Sequence, residues 1–147
     1  MRTILQRVSS ASVVIDGKCV GQIDQGYLVL VGFTHDDTES DIDYMVEKVK
    51  NLRVFSDDDG NMNRSLLDVH GKILSVSQFT LYADARKGRR PSFINAMHPE
   101  QAAKMYDLWN EKLRQAGIEV QTGVFGADMK VTLTNDGPVT ICLESRK

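Results

Sequence analysis

The chain has 147 residues, 41% hydrophobic and 26% charged, with a formal charge of −2. This is the balance of a folded globular protein, not a disordered one, and the length fits one domain able to bury roughly two-thirds of its unfolded surface. It offers no global positive field for nucleic acid, so such binding would need a local patch, and no apolar run approaches the roughly 20 residues that cross a bilayer.

Residues 2–8 and 12–15 are predicted as strands, and "VVIDGKCV" carries an Asp16-Gly17 hairpin signal. Gln6, Arg7, Ser9 and Ser10 interrupt the N-terminal stretch, which speaks against a signal peptide and for a cytoplasmic location. "YLVLVGF" suits a strand buried on both faces. Thr38 followed by Asp41 reads as a capping box, and Ile42, Met45, Val46, Val49 and Leu52 then form one helical face. "FSDDDGNMN" reads as a loop, and residues 72–82 as a strand. A second helix begins near Pro99 and stops at Gly117, with Ala102, Met105, Tyr106, Trp109 and Leu113 inward. Strands are expected over 118–124, 129–134 and 139–144. The fold class is therefore α/β, a single mixed domain over 1–147 of about seven strands and two helices. Cys19 and Cys142, isolated within apolar strand-like stretches, are expected to be buried free thiols in a reducing cytosol.

The usual catalytic constellations are missing. His35, His70 and His98 lack the short spacing of zinc ligands, so neither metal nor cofactor is expected. No phosphate loop or dinucleotide fingerprint occurs, and "GVFGAD" matches neither. Ser77 and Thr80 have no G-x-S-x-G elbow and no histidine near them in sequence, although a distant one could fold into place. One cluster of cations stands out, Arg86, Lys87, Arg89 and Arg90 around Gly88. It is either a solvated loop or a clamp for several phosphates.

Two stretches remain odd. In "LSVSQFTLYA" (74–83), period-two alternation sends Ser75, Ser77, Phe79 and Leu81 one way and Leu74, Val76, Gln78, Thr80 and Tyr82 the other. Neither face is purely apolar. The polar groups are either satisfied structurally or open into a pocket. "NDGPVT" (135–140) reads as a hairpin turn, or as a rigid turn presenting carbonyl oxygens, with Gly137 exposing its backbone and Pro138 fixing its own dihedral.

The pairing of "SQFTL" (77–81) with "NDGPVT" resembles the two signature motifs of D-aminoacyl-tRNA deacylases. The likeness extends to "LQRVSSASVVIDG", "YLVLVGF" and "GVFGADM", and so spans nearly the whole chain. The resemblance implies that family's fold, strands in packed sheets or a half-barrel with two helices. It also implies a cytosolic homodimeric hydrolase that removes D-amino acids from tRNA, with active sites at the subunit interface. Ser77, Gln78, Phe79 and Thr80 would then be catalytic, the amides of Phe79 and Thr80 holding the oxyanion. Either Thr80 or the 2′-hydroxyl of the terminal ribose would direct water. Gly137 and Pro138, joined by a cis bond and lent by the partner, would form the chiral gate, with Arg7 either bracing it or held in a surface ion pair. Such a gate rejects a Cβ and so cannot exclude glycine. Phe125 and Met129 would contact the terminal adenosine, and Arg86, Lys87, Arg89 and Arg90 the tRNA phosphates.

Overall fold

In the computed structural model, which describes residues 1–146, one long strand organises the rest. β1 (Arg2–Ile15) pairs antiparallel with β8 (Lys130–Glu144), from Arg2 opposite Glu144 to Val14 opposite Lys130. On its other side its first half takes β3 (Gly26–Gly32), and its second half takes β2 (Lys18–Ile23) after the Asp16-Gly17 turn. The predicted breaks at residues 9–11 and 135–138 are therefore not strand ends. Ser9 and Ser10 are exposed, but the backbone ladder continues past them.

The sheet continues from β3 to β6 (Lys72–Ser77) and β7 (Val120–Thr122), both parallel additions. Parallel neighbours need long crossovers, and here these carry α1 (Glu39–Asn51) and α2 (Pro99–Gln115). The order β2-β1-β3-β6-β7, with β8 on β1, nearly closes on itself. A Cβ on Gly21 in β2 would lie 2.8 Å from the Thr122 carbonyl oxygen in β7, so only glycine lets the sheet's two ends meet. A short ribbon, β4 (Phe55–Ser56) with β5 (Met62–Arg64), occupies the stretch expected as loop, which brings the total among the described residues to eight strands.

Strand alternation divides the core in two. Tyr27, Val29, Val31 and Ile73 face the helices, where Ile42, Met45, Val49, Tyr106, Trp109 and Leu113 are buried against them. Leu28, Leu74 and Val76 point inside the curled sheet with Val8, Ala11, Val13 and Ile23. The predicted helical stripes hold, with Leu52 and Met105 half-buried at their margins. At the start of α1, the Thr38 amide donates to Asp41 Oδ2 at 2.9 Å, while α2 begins at Pro99. The α/β expectation of a half-barrel with two helices is thus met.

Three local expectations fail. The strand over 72–82 ends at Ser77, because β7 pairs only with Ile73 to Ser75 and β3 ends at Gly32. Beyond them the chain has no neighbour to pair with. The strand expected over 118–124 shortens to 120–122. Cys19 and Cys142 are free but exposed, since alternation turns them to the outer faces of β2 and β8. No helix of the described residues is long and apolar enough to cross a membrane.

Candidate active site

Where β6 runs out, a pocket begins. The Gln78 amide makes one last strand-like bond to the Val31 carbonyl oxygen at 2.8 Å, and Phe79–Tyr82 then wind into a single 3-10 turn. The Leu81 and Ala83 amides bond back to the carbonyls of Gln78 and Thr80. As the first donors of a helical turn, the Phe79 and Thr80 amides have no partner among the described residues. The Gln78 side-chain amide donates to Thr80 Oγ1 at 2.5 Å.

Immediately before the turn, Ser75 anchors the strand. It is fully buried; its Oγ accepts the Trp109 indole N–H at 3.3 Å and its carbonyl accepts the Tyr106 hydroxyl at 2.7 Å. Burial holds the Tyr106 phenol above its ordinary pKa, so it stays a donor. Of the polar residues in 74–83, Ser75 is therefore structural.

The turn opens onto a cleft of about 860 Å³. Ser77, Gln78 and Phe79 line one wall, and Phe125 and Met129 another. The structure thus brings together five of the residues singled out in the sequence. Thr80 reaches the cleft only through its bond to Gln78, and its own side chain is exposed.

Gly137 and Pro138 do not line this cleft. They sit in a bulge of β8, not in a hairpin turn. The ladder passes from Val8 opposite Asn135 to Gln6 opposite Thr140, so Asp136 to Val139 all stand against Arg7. The strand on both sides continues in one direction because β1 continues beneath it. Within the bulge the Gly137-Pro138 bond is cis and Gly137 has φ +134°, a region where side chains are strained. A Cβ there would lie 2.8 Å from Val139 Cγ2 and 3.0 Å from Arg7 Nη2. Arg7 holds the bulge from below: Nε donates to the Asp136 carbonyl oxygen at 2.9 Å and Nη1 to the Val54 carbonyl oxygen at 2.6 Å. Its side chain is nearly buried, whereas Gly137 and Pro138 are exposed. The bulge therefore offers main chain outward from a fixed base.

Arg86, Lys87, Arg89 and Arg90 occupy an exposed loop outside the cleft, pinched where the Asp84 and Ser92 backbones exchange two 2.8 Å hydrogen bonds. Arg86 is spoken for: it donates to both Asp84 carboxylate oxygens, at 2.9 and 2.8 Å. Those bonds hold the Asp84 carboxyl down to about 2. Lys87, Arg89 and Arg90 make no ion pair among the described residues.

The cleft also contains residues to which sequence reasoning gave no role. His35 and His98, far apart in the chain, meet with ring centroids 5.6 Å apart at its edge. His35 Nε2 lies 2.6 Å from the Ile94 carbonyl oxygen, which makes that nitrogen the donor. Phe93 meets Phe79 edge to face at 5.1 Å. The only sequence signal for Phe93 was an aromatic three places after Arg90. Among the described residues no group of three or more His, Cys, Asp or Glu is placed to hold a metal ion.

Comparison with known proteins places this geometry. A family profile described as D-Tyr-tRNA(Tyr) deacylase matches residues 4–144. The chain is similar to the D-aminoacyl-tRNA deacylase of Bacillus cytotoxicus, 57% identical over 146 residues, covering 99% of this chain and 100% of that protein. A solved structure named c-Myc DNA Unwinding Element Binding Protein superposes with a TM-score of 0.94 at 42% identity, over 100% of both chains. Another, titled "Structural Analysis of a probable eukaryotic D-amino acid tRNA deacylase", shares the fold: TM-score 0.84, 20% identity, 97% of this chain and 98% of that one.

Proposed function

This chain belongs to the D-Tyr-tRNA(Tyr) deacylase family, and we propose that it acts, as one cytoplasmic domain, by hydrolysing the ester of D-aminoacyl-tRNA while sparing the L-ester. The observation that carries the reading is the split site: a cleft with the Ser77–Phe79 wall on one surface, and an outward main-chain bulge at Gly137-Pro138 that the same chain's cleft does not use. A homodimer completes it, each copy lending its bulge to the other's cleft.

In that arrangement selection works by exclusion. With the ammonium and ester held, inverting Cα exchanges hydrogen for side chain. Rigid carbonyl oxygens close to Cα then admit the hydrogen and refuse a Cβ. The gate touches no side chain, so many D-amino acids are accepted. Glycine has no Cβ to refuse, so glycyl-tRNA is cleaved too.

The chemistry asked of the protein is modest, because the ester is already activated. The unpartnered Phe79 and Thr80 amides supply donors for the tetrahedral oxyanion. Thr80 Oγ1 accepts from the Gln78 amide and no base among the described residues hydrogen-bonds to it, which favours the ribose 2′-hydroxyl as the group that directs water. Phe125 and Met129 give the adenosine flat apolar walls, and Lys87, Arg89 and Arg90 meet phosphates.

A second reading follows from the 42% identical structure, whose name assigns it to a DNA element. One loop of exposed cations on a chain of charge −2 is a small footprint for duplex DNA. The test is to present D- and L-tyrosyl-tRNA in parallel and follow ester loss. Rapid loss of the D-ester alone is expected. Equal loss of both, or retention of tRNA on a filter with neither cleaved, would overturn the proposal.

A further inference from the structure

On the rim of the cleft lies an apolar patch whose side chains the reading above gives no partner. Three large apolar side chains are exposed there: Phe79 at 54%, Phe93 at 40% and Ile94 at 79%. Folded domains leave single apolar residues in water routinely, but seldom an aromatic pair in mutual contact with a third apolar side chain next to it. The patch is also firmly held. Thr34 Oγ1 donates to the Asn95 carbonyl oxygen at 2.5 Å, and His35 Nε2 to that of Ile94 at 2.6 Å. The Met97 amide donates to the Phe33 carbonyl oxygen at 3.0 Å. Segment 93–97 is thereby fastened to the end of β3, and Phe93 and Ile94 point outward from an ordered support.

Its neighbour is the cationic loop. Ser92, one end of the backbone pinch that closes the loop, directly precedes Phe93. Arg90 lies three residues before Phe93, so their Cα atoms are within about 10 Å. Exposed aromatics beside unpaired cations are the combination that holds single-stranded nucleic acid, base on ring and phosphate on cation. A symmetric contact of two copies centred on this patch would instead set the two cationic loops side by side, at an electrostatic cost.

We propose that Phe79, Phe93 and Ile94 form a stacking platform for the nucleobase of the nucleotide preceding the terminal adenosine, with Arg89 and Arg90 taking its phosphate. This rests on the reading that the cleft receives the aminoacyl-adenosine end. The platform makes no hydrogen-bond readout, so it accepts any base. It recognises that the strand is single and that it continues beyond one nucleoside.

Two substrates separate this from a general role in the cleft: D-tyrosyl-adenosine, and the D-tyrosyl ester of a dinucleotide ending in adenosine. With Phe93→Leu, kcat/KM on the dinucleotide ester should fall about tenfold further than on the adenosine ester, the worth of one base–aromatic contact. A binding readout independent of turnover uses a short RNA with 2-aminopurine at the penultimate position. Its fluorescence should be quenched by the unaltered protein and not by Phe93→Leu. Equal losses on both esters would overturn the proposal, as would unquenched fluorescence on a bound RNA. Dissociation of Phe93→Leu into monomers in sedimentation would assign the patch to a second copy and overturn it as well. Failure of the unaltered protein to cleave any D-ester would sink the preceding reading, whereas the fluorescence result would stand or fall alone.

Discussion

Two segments of this molecule leave a strand, and they do so for opposite reasons. The Ser77–Tyr82 turn begins where both neighbouring strands have ended, and the core fastens it just upstream through Ser75, Trp109 and Tyr106. The Asp136–Val139 bulge interrupts a strand whose partner continues past it; Arg7 supports it from beneath, and Asn135 Oδ1 accepts the Val139 amide across it at 3.1 Å. The first yields a concave wall that a single chain can build. The second yields main chain facing outward, useful only to something that docks. Rigidity at a site can thus come from the core or from local bonds centred on a buried cation, and the two should fail differently.

The sharpest way to break the contrast is Gly137→Ala. Its Cβ would crowd Val139 and Arg7 and displace the bulge while the core stays intact. Deacylation of D-tyrosyl-tRNA should drop by roughly a hundredfold, the penalty of misplacing a positioning element by about 1 Å, with little change in thermal melting. Mixing that variant with Ser77→Phe, which fills the cleft, should restore about a quarter of the activity, since half the dimers then hold one intact site of two. No recovery on mixing would place the bulge and cleft in one chain.

Arg7→Ala should cost stability as well as activity. It leaves the Val54 and Asp136 carbonyls without their donor, worth about 2 kcal/mol in chemical denaturation. Trp109→Phe tests the other support: losing the indole bond to Ser75 should cost about 1 kcal/mol and lower activity less than Gly137→Ala does. The smallest effect concerns acid. The Asp84 carboxyl is held down to about 2 by Arg86, so whatever the pair contributes is present above the ordinary carboxylate range and lost only as pH falls through about 2. A carbon NMR titration should find its midpoint there, with the 84–92 loop unchanged at pH 4; a midpoint in the usual carboxylate range would refute the clamp.

Much of the frame was legible in the residues. Helical spacing found both helices, because burial acts on side chains that local geometry already sorts, and apolar patterning found most of the strand residues but split each of the two longest strands, β1 and β8, in two. The errors came where a neighbour overrode a local signal. Asp-Gly-Pro is strong turn punctuation, yet β1 beneath it carries the strand onward, and so a hairpin became a bulge. The alternation of 72–77 promised a strand to 82, but pairing partners ended first. Half of the cleft could be named from its motifs. The meeting of His35 with His98, and of Phe79 with Phe93, depends on how the 93–97 segment folds back against β3, which no local pattern encodes.

The strand β8 links these regions in a way that sets a rule for its length. Met129, just before it, lines the cleft, and Gly137 lies eight positions further along the same extended backbone. That strand is a caliper, its jaws held apart by roughly 25 Å of stiff chain at about 3.3 Å per step. Removing one residue between Val131 and Asn135 would shorten the span and put the two ends of the strand out of alternation with each other. A deletion there should ruin the gauge even with every residue of the site intact.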